Sequence, residues 1–225
     1  MVAWDLAAGE EQHPETLPHP SVNAIFEKDK SCLFGVPLGK FTRTLEGRSH
    51  VFGVKFASGM FRPFLGYSVA RITNRPKPLA EIFGEEIGAL DTLLTSEAPL
   101  EELFAAANRF FVPRIPAPDD KAELAHRLVH SILDDRDLLT VDDLVWNSGL
   151  NKRALQRLFS EYVGVSPKWV IRRYRLHEAI ERLQTGELID FADLATDLGY
   201  FDQAHLINDF KSMLGYTPGE FQKMR

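Results

Sequence analysis

The sequence has few of the features that mark disulfide-bonded, exported or membrane-spanning proteins. Cys32 is the sole cysteine among 225 residues, which excludes an internal disulfide and any zinc or iron–sulfur site built from several cysteines. The first dozen residues carry three acidic side chains and lack the basic start and apolar run of a secretion signal. No apolar run approaches the length that crosses a bilayer. We therefore predict a cytoplasmic protein without a membrane partner.

An overall positive charge is also missing. The chain has 26 Lys and Arg against 32 Asp and Glu, a net charge of −6, which argues against indiscriminate coating of nucleic acid. Hydrophobic residues make up 44% and charged residues 26%, as in ordinary globular proteins, and the length favours two domains. An average charge can hide a local basic surface, so the charge has to be examined segment by segment.

The first half of the chain has the pattern of an α+β domain. Residues 1–20 contain three prolines and few apolar groups, and we predict an extended arm. Short runs rich in β-branched and aromatic residues over 22–56, separated by turn signals, predict about four antiparallel strands. Apolar periodicity predicts two helices, over roughly 85–94 and 100–111. The following segment VPRIPAPDD has three prolines within six residues, which indicates a linker and places a boundary near Pro118.

The chain thus divides into an α+β domain, residues 1–118, and an all-α domain of about seven helices, residues 119–225. A side chain suited to cap a helix stands before each predicted helix of the second domain. These side chains are Asp119 or Asp120, Thr140 with Asp143 as a capping box, Asn151, Ser166, Asp190, Asp202, and Thr217 with Glu220. Pro167 and Pro218 follow two of these caps at the first helical position, where proline is favoured.

The all-α domain contains an internal repeat. Residues 141–170 and 191–221 share an Asp-Leu pair, a glycine, a Leu and Phe four residues apart, and a closing Gly-x-Ser/Thr-Pro. Each copy has a helix ending at a glycine, a short turn and a second helix, which is the layout of a helix-turn-helix. The alternative is a helical bundle that happens to repeat, without a role in binding.

Local charge favours the helix-turn-helix interpretation. Residues 151–175 carry seven basic residues against Glu161 alone, a segregation that phosphate contacts require and a solvated surface does not. In the first copy Leu155 and Phe159 face the core, which turns the polar side chains of the same helix outward. These are Lys152, Arg153, Gln156 and Arg157. Arg and Gln pair bidentately with guanine and adenine edges.

Two segments, 149–183 and 191–222, together resemble the DNA-binding domain of AraC/XylS transcription regulators, a resemblance that covers about residues 120–225. It implies two helix-turn-helix units joined by one long helix, with both recognition helices in successive major grooves. It further implies DNA contacts by the side chains on these surfaces. The implied base-reading residues are Arg153, Gln156 and Arg157 of the first unit and Gln203, His205 and Asn208 of the second. The phosphate contacts expected with them are Asn151, Lys152, Lys168, Arg172, Arg175 and Lys211.

Residues 19–66 resemble an uncharacterised N-terminal domain that precedes this DNA-binding module in a subset of such regulators. That resemblance implies a domain that senses an effector or mediates dimerisation, and it identifies no ligand. The second helix-turn-helix is less basic than the first, since Lys211 faces Asp202 and Asp209. We therefore predict that base recognition depends mainly on the first unit.

Other candidate sites have simpler explanations. His126 and His130, one turn after Glu123, could bind a metal ion, but a solvated helix face accounts for them and we predict no metal. Cys32 in an apolar run could suggest a DNA-repair alkyltransferase, yet no neighbouring group activates the thiol and a buried hydrophobe is the simpler interpretation. Five aromatic side chains could line an effector pocket, with core packing as the alternative. They are Phe52, Phe56, Phe61, Phe64 and Tyr67.

Two further expectations concern the all-α domain. Trp146 and Trp169 are predicted to be core residues. Arg172 and Arg175 are predicted either to clamp phosphate or to pair with Glu178.

The sequence predicts a DNA-binding transcription regulator that is not an enzyme and has no cofactor. Its predicted partner is a double-stranded DNA operator, and the other candidate partners are a small-molecule effector, a second copy of the chain and, for an activator, RNA polymerase. The alternative is an effector-binding or interaction protein whose DNA-binding half is degenerate.

Overall fold

The computed structural model describes residues 2–5, 15–39, 41–42, 50–185 and 189–224. Within these ranges the chain forms a small antiparallel sheet with flanking helices, followed by a wholly helical half. This is the fold class that the sequence predicts. None of the helices in these ranges is both long and apolar enough to span a bilayer.

The sheet has five antiparallel strands in the order β1-β6-β3-β4-β7, beside a two-stranded ribbon of β2 and β5. The strands are β1 (Val2–Asp5), β2 (Glu15–Thr16), β3 (Asn23–Glu27), β4 (Cys32–Phe34), β5 (Phe41–Thr42), β6 (His50–Lys55) and β7 (Pro76–Lys77). Four of them, β3 to β6, lie in the segment predicted to form strands, although residues 40 and 43–49 of that segment lie outside the described ranges.

Three strands lie outside the segment that was predicted to form strands. Residues 2–5 of the predicted arm pair with β6, with Trp4 opposite Val51, and residues 15–16 of the same arm pair with β5. Pro76 and Lys77, between the predicted strands and the predicted helices, pair with β4. Proline is tolerated on an edge strand because one side of that strand needs no N–H donor.

Four helices cover the sheet. They are α1 (Arg62–Leu65), α2 (Ala80–Phe83), α3 (Ile87–Leu94) and α4 (Leu100–Phe111). The two predicted helices of this half coincide with α3 and α4. Between helices and sheet lies a core rich in phenylalanine, in which Phe26 packs edge-on against Phe52 and Phe111. Phe56 lies 4.5 Å from Phe61, ring centroid to ring centroid, so the candidate pocket aromatics are packed against one another as core.

The described part of the helical half contains seven α-helices, as the sequence predicts. They are α5 (Asp120–Asp134), α6 (Val141–Ser148), α7 (Lys152–Leu158), α8 (Pro167–Leu183), α9 (Phe191–Asp197), α10 (Gln203–Leu214) and α11 (Pro218–Lys223). Each predicted cap accepts a hydrogen bond from its own helix, and both predicted capping boxes are formed at Thr140 and Thr217. Local side-chain chemistry therefore sets every helix start in this half.

The helical half has two cores, one for each copy of the repeat. The first buries Leu144, Leu155 and Phe159 between α5, α6, α7 and the N-terminal part of α8. The second buries Leu194, Leu206 and other side chains between the C-terminal part of α8 and helices α9 to α11. The joining helix α8 contributes to both cores, so it fixes the relative positions of the two units.

The first half of the chain packs tightly on the helical half. Val36 is completely buried in the first helical core. The Thr73 hydroxyl donates to the Gly164 carbonyl at 2.7 Å. Gly164 has a φ of +92°, and a Cβ placed on it would lie 2.8 Å from Thr73 Oγ1 and 2.9 Å from Val69 Cγ1. A side chain at position 164 is therefore disfavoured by both conformation and packing. The boundary at residue 118 stays a prediction.

Candidate nucleic-acid interface

The first helix-turn-helix consists of α6 and α7. Gly149 ends α6 with a φ of +67°, and the Asn151 side chain then accepts the Ala154 N–H at 2.9 Å to begin α7. Leu155 is completely buried and anchors α7 in the first core. The opposite face consists of exposed side chains with long polar groups, namely Lys152, Arg153, Gln156 and Arg157. The structure thus brings the predicted base-reading residues of the first unit together on one exposed surface.

Two of the predicted phosphate contacts of the first unit already have protein partners. The Asn151 side chain caps α7, and Lys152 Nζ lies 3.1 Å from Asp142 Oδ1 on α6. Both residues are exposed, and the Lys152 pair is exposed on both sides. Such a surface pair contributes little free energy and leaves the ammonium group able to exchange partners.

The arginines of α8 are less exposed than their sequence suggests. Arg173 is only 2% exposed, and its Nε donates to the Pro18 carbonyl at 2.9 Å. Burial lowers the pKa of the Arg173 guanidinium to about 10. The half-buried Arg175 donates to the Gly199 carbonyl at 3.3 Å. Part of the basic run over residues 151–175 therefore holds the protein together.

Arg172 forms a bidentate ion pair with Asp209 of α10. The Asp209 side chain is 8% exposed and that of Arg172 is 29% exposed. The predicted alternative, in which these arginines pair with Glu178, is wrong, because Glu178 pairs with Arg182 and Arg136. Arg172 instead ties the joining helix to the second recognition helix.

The second helix-turn-helix consists of α9 and α10. Gly199 has a φ of +67° at the turn, and Asp202 accepts the His205 N–H at 2.7 Å to begin α10. Gln203, His205, Asn208 and Lys211 are exposed on α10. Because Asp209 is buried against Arg172, the acidic count of this unit does not describe its surface. The exposed charges of residues 199–216 are Asp202 and Lys211, which balance.

A cleft of about 190 Å³ lies where the two units meet. Its lining includes Lys168, Arg172 and Arg175 of α8 together with His205 of α10 and Tyr200. Burial, and then the charge of Asp209, raises the pKa of the Tyr200 hydroxyl. The structure thus places three predicted phosphate contacts beside the second recognition helix.

The other candidate residues lie elsewhere. The His126 and His130 rings are 4.4 Å apart, and His126 Nδ1 lies 2.9 Å from the Ser58 carbonyl oxygen. Among the described residues, no group of three or more His, Cys, Asp or Glu is placed to hold a metal ion. Cys32 is half-buried in β4.

The prediction that Trp146 is a core residue is wrong, because its side chain is 87% exposed on α6. The other tryptophan, Trp169, is half-buried and packs against both helical cores. Its indole N–H donates to the Leu38 carbonyl at 3.3 Å, another contact between the two halves.

Family comparisons agree with this architecture. A family model described as a helix-turn-helix domain matches residues 147–224, and a model described as a domain of unknown function (DUF6597) matches residues 1–77. The probable transcription factor PqrA of Proteus vulgaris is 31% identical over 85 residues, which make up 38% of this chain and 69% of that protein. The chain belongs to the AraC/XylS family of transcription regulators. Both resemblances seen in the sequence are thereby confirmed.

Other AraC/XylS relatives match the same share of the chain. The transcriptional activator AarP of Providencia stuartii is 36% identical over 84 residues, 37% of this chain and 62% of AarP. A putative AraC-like transcription regulator of Streptomyces lividans is 31% identical over 84 residues, 37% of this chain and 27% of that protein. The match to AarP, the first of these two, thus spans less than two thirds of that protein. Among solved structures, ToxT of Vibrio cholerae superposes with a TM-score of 0.46 at 15% identity, over 99% of this chain and 97% of ToxT.

Proposed function

We propose that this AraC/XylS family member is a sequence-specific DNA-binding transcription regulator that inserts α7 and α10 into successive major grooves. The observation that carries the proposal is the exposed row of Arg153, Gln156 and Arg157 on α7, backed by the buried Leu155. Arg and Gln side chains are the ones that recognise guanine and adenine edges with two hydrogen bonds. A second helix-turn-helix with the same layout lies at the other end of α8.

The length of α8 supports simultaneous binding to two grooves. A helix of 17 residues is about 26 Å long, and successive major grooves on one face of DNA are about 34 Å apart. Since α8 contributes to the cores of both units, it holds the two recognition helices at a fixed separation. One molecule is therefore built to read two successive grooves.

The side chains predicted to contact DNA have two proposed roles. Base contacts come from Arg153, Gln156 and Arg157 of α7 and from Gln203, His205 and Asn208 of α10. Phosphate contacts come from Asn151, Lys152, Lys168, Arg172, Arg175 and Lys211. Lys152, Lys168 and Lys211 are the most accessible cations of the second set, since Arg172 and Arg175 also hold α10 and its turn.

We also propose that residues 1–118 form a regulatory domain that responds to an effector or to a second copy of the chain. This half contacts α8 directly, through the hydrogen bond from Arg173 to Pro18 and the one from Trp169 to Leu38. A shift of this half therefore acts on the helix that positions both recognition helices. The same proposal places the protein in the cytoplasm. If the protein is an activator, RNA polymerase is a further partner.

The proposal is tested by selecting duplexes from a random library with the full chain, then measuring affinity against salt. We expect one enriched bipartite sequence. The five cations proposed to contact phosphate give a slope of log affinity against log salt of roughly −4 to −5. Arg153→Ala and Arg157→Ala are the matched variants, and both should weaken binding without loss of helix content. A folded chain that enriches nothing, or that binds with a flat salt dependence, would instead support the degenerate alternative.

A further inference from the structure

Phe201 is a large apolar side chain left in solvent at the entrance to the second recognition helix. It is 93% exposed, more than any other large hydrophobic side chain among the described residues. It directly precedes Asp202, the N-cap of α10. An apolar residue at this position ordinarily packs on the fourth residue of the helix, which here is Leu206. Leu206 is completely buried while Phe201 stays exposed, so this packing is not made and Phe201 does not stabilise the helix start.

The surface around Phe201 carries little charge. Gln203, Ala204 and His205 in the first turn of α10 are all exposed, as is Asn208 one turn later. The carboxylate nearest to Phe201 in the chain, Asp202, accepts a backbone N–H as the helix cap. The corresponding surface of α7 presents Lys152, Arg153 and Arg157. The two recognition helices therefore offer different chemistry, charged donors on the first, and amides with an exposed ring on the second.

This chemistry is complementary to A·T base pairs. The main apolar group in the major groove is the C5-methyl of thymine, which Phe and Ala side chains contact. The amides of Gln203 and Asn208 match the adenine edge, which offers one acceptor and one donor. The N-terminal residues of a recognition helix are the ones that meet base edges, and Phe201 stands immediately before them.

We propose that Phe201 is a specificity-determining residue that contacts a thymine methyl group, so that the half-site of the second unit requires an A·T pair at that position. This inference rests on the proposed DNA-binding function. It assigns the second unit a way to discriminate bases that does not depend on a positive charge.

The test uses the selected duplex and the full chain. Each thymine of the second half-site is replaced in turn by deoxyuridine, which removes only the methyl group. At one position we expect the affinity of the unaltered chain to fall about fourfold, the factor for taking one buried methyl group out of an apolar contact. Phe201→Ala should weaken binding to the thymine duplex by at least that factor and bind both duplexes equally. The matched control is Trp146→Ala, another exposed aromatic, which should keep the full response to the methyl group.

The outcomes separate this inference from the proposed function. If the unaltered chain enriches no duplex, both fail. If it binds an operator but Phe201→Ala retains the same ratio between thymine and deoxyuridine duplexes, only the contact with the methyl group is overturned. Unchanged DNA affinity of Phe201→Ala together with a loss of self-association, measured by sedimentation, would also overturn it and assign the ring to a protein contact. Because Phe201 is exposed, the variant should unfold at the temperature of the unaltered chain, which circular dichroism verifies.

Discussion

The ion pair between Arg172 and Asp209 gives the sharpest prediction about how the two DNA-binding units are held together. Replacing Arg172 with Met leaves the Asp209 carboxylate, 8% exposed, without its bidentate partner. Removing one member of a buried pair costs about 3–5 kcal/mol. We expect about 3 kcal/mol, at the low end of that range, because Arg172 is itself 29% exposed and because Arg175 remains near Asp209 to offset part of the charge.

Companion variants show whether the loss comes from the pair. Asp209→Asn should cost less, about 1 kcal/mol, because the freed Arg172 can reach water. The double variant Arg172→Met/Asp209→Leu should return to within about 1 kcal/mol of the unaltered chain, because buried ion pairs are often replaced by apolar groups at no net cost. Lys168→Met, an exposed position on the same helix, is the matched control and should change the free energy of unfolding by less than about 0.5 kcal/mol.

The assay is urea unfolding of the full chain followed by far-ultraviolet circular dichroism. If Arg172→Met is as stable as Lys168→Met, the pair contributes nothing and the reasoning is refuted. The salt dependence of DNA binding adds a second measurement. If Arg172 contacts phosphate as proposed, both variants reduce the salt slope by about one unit. A slope reduced by Lys168→Met alone would show that the ion pair with Asp209 keeps Arg172 from phosphate.

Three further predictions concern acid stability, base recognition and the contact between the halves. Burial, and then the charges of neighbouring cations, lowers the pKa of His19 to about 3, so the unfolded chain binds the proton more readily. The free energy of unfolding, measured by urea titration, should fall as the pH drops from about 6.5 towards 3. It should fall less in His19→Gln. In binding titrations, Arg157→Ala should weaken operator binding by about 1–3 kcal/mol and relax the preference at one base position. Asn208→Ala should weaken operator binding by clearly less. Gly164→Ala should destabilise the full chain more than Gly149→Ala, because both glycines have positive φ and only Gly164 packs against the first half; equal melting temperatures would contradict this.

Features set by neighbouring residues could be predicted from the sequence. All seven helix starts of the second half follow a capping side chain within the same short segment, and the repeat revealed two units because each closes its own core. Leu155 and Phe159 were correctly assigned to the buried face of the first unit, and that assignment also identified the exposed row on α7. Capping and helical periodicity need no knowledge of the tertiary fold.

Features set by distant partners could not be predicted. The pairing of residues 2–5 with β6 joins segments about fifty residues apart, and nothing in the short run itself requires it. The buried Arg173 donates to the carbonyl of Pro18, 155 residues away in the chain. Arg172 pairs with the carboxylate of Asp209, 37 residues away. The charge count over residues 151–175 could show neither of these partners. The prediction for Trp146 was wrong for another reason. Helix α6 has only eight residues, too few for periodicity to separate its two faces.

Helix α8 connects three parts of the protein, and its arginines make two of these connections. Arg173 binds the carbonyl of Pro18 in the first half, while Arg172 and Arg175 bind Asp209 and the Gly199 carbonyl in the second DNA-binding unit. Adjacent positions on a helix point about 100° apart, so the first half and the second unit occupy different faces of α8. The first unit is fixed to α8 by a shared apolar core that also includes Val36. The second unit also shares an apolar core with α8, so displacing either recognition helix relative to α8 would open a packed core. A signal in the first half would therefore act by moving α8 together with both units.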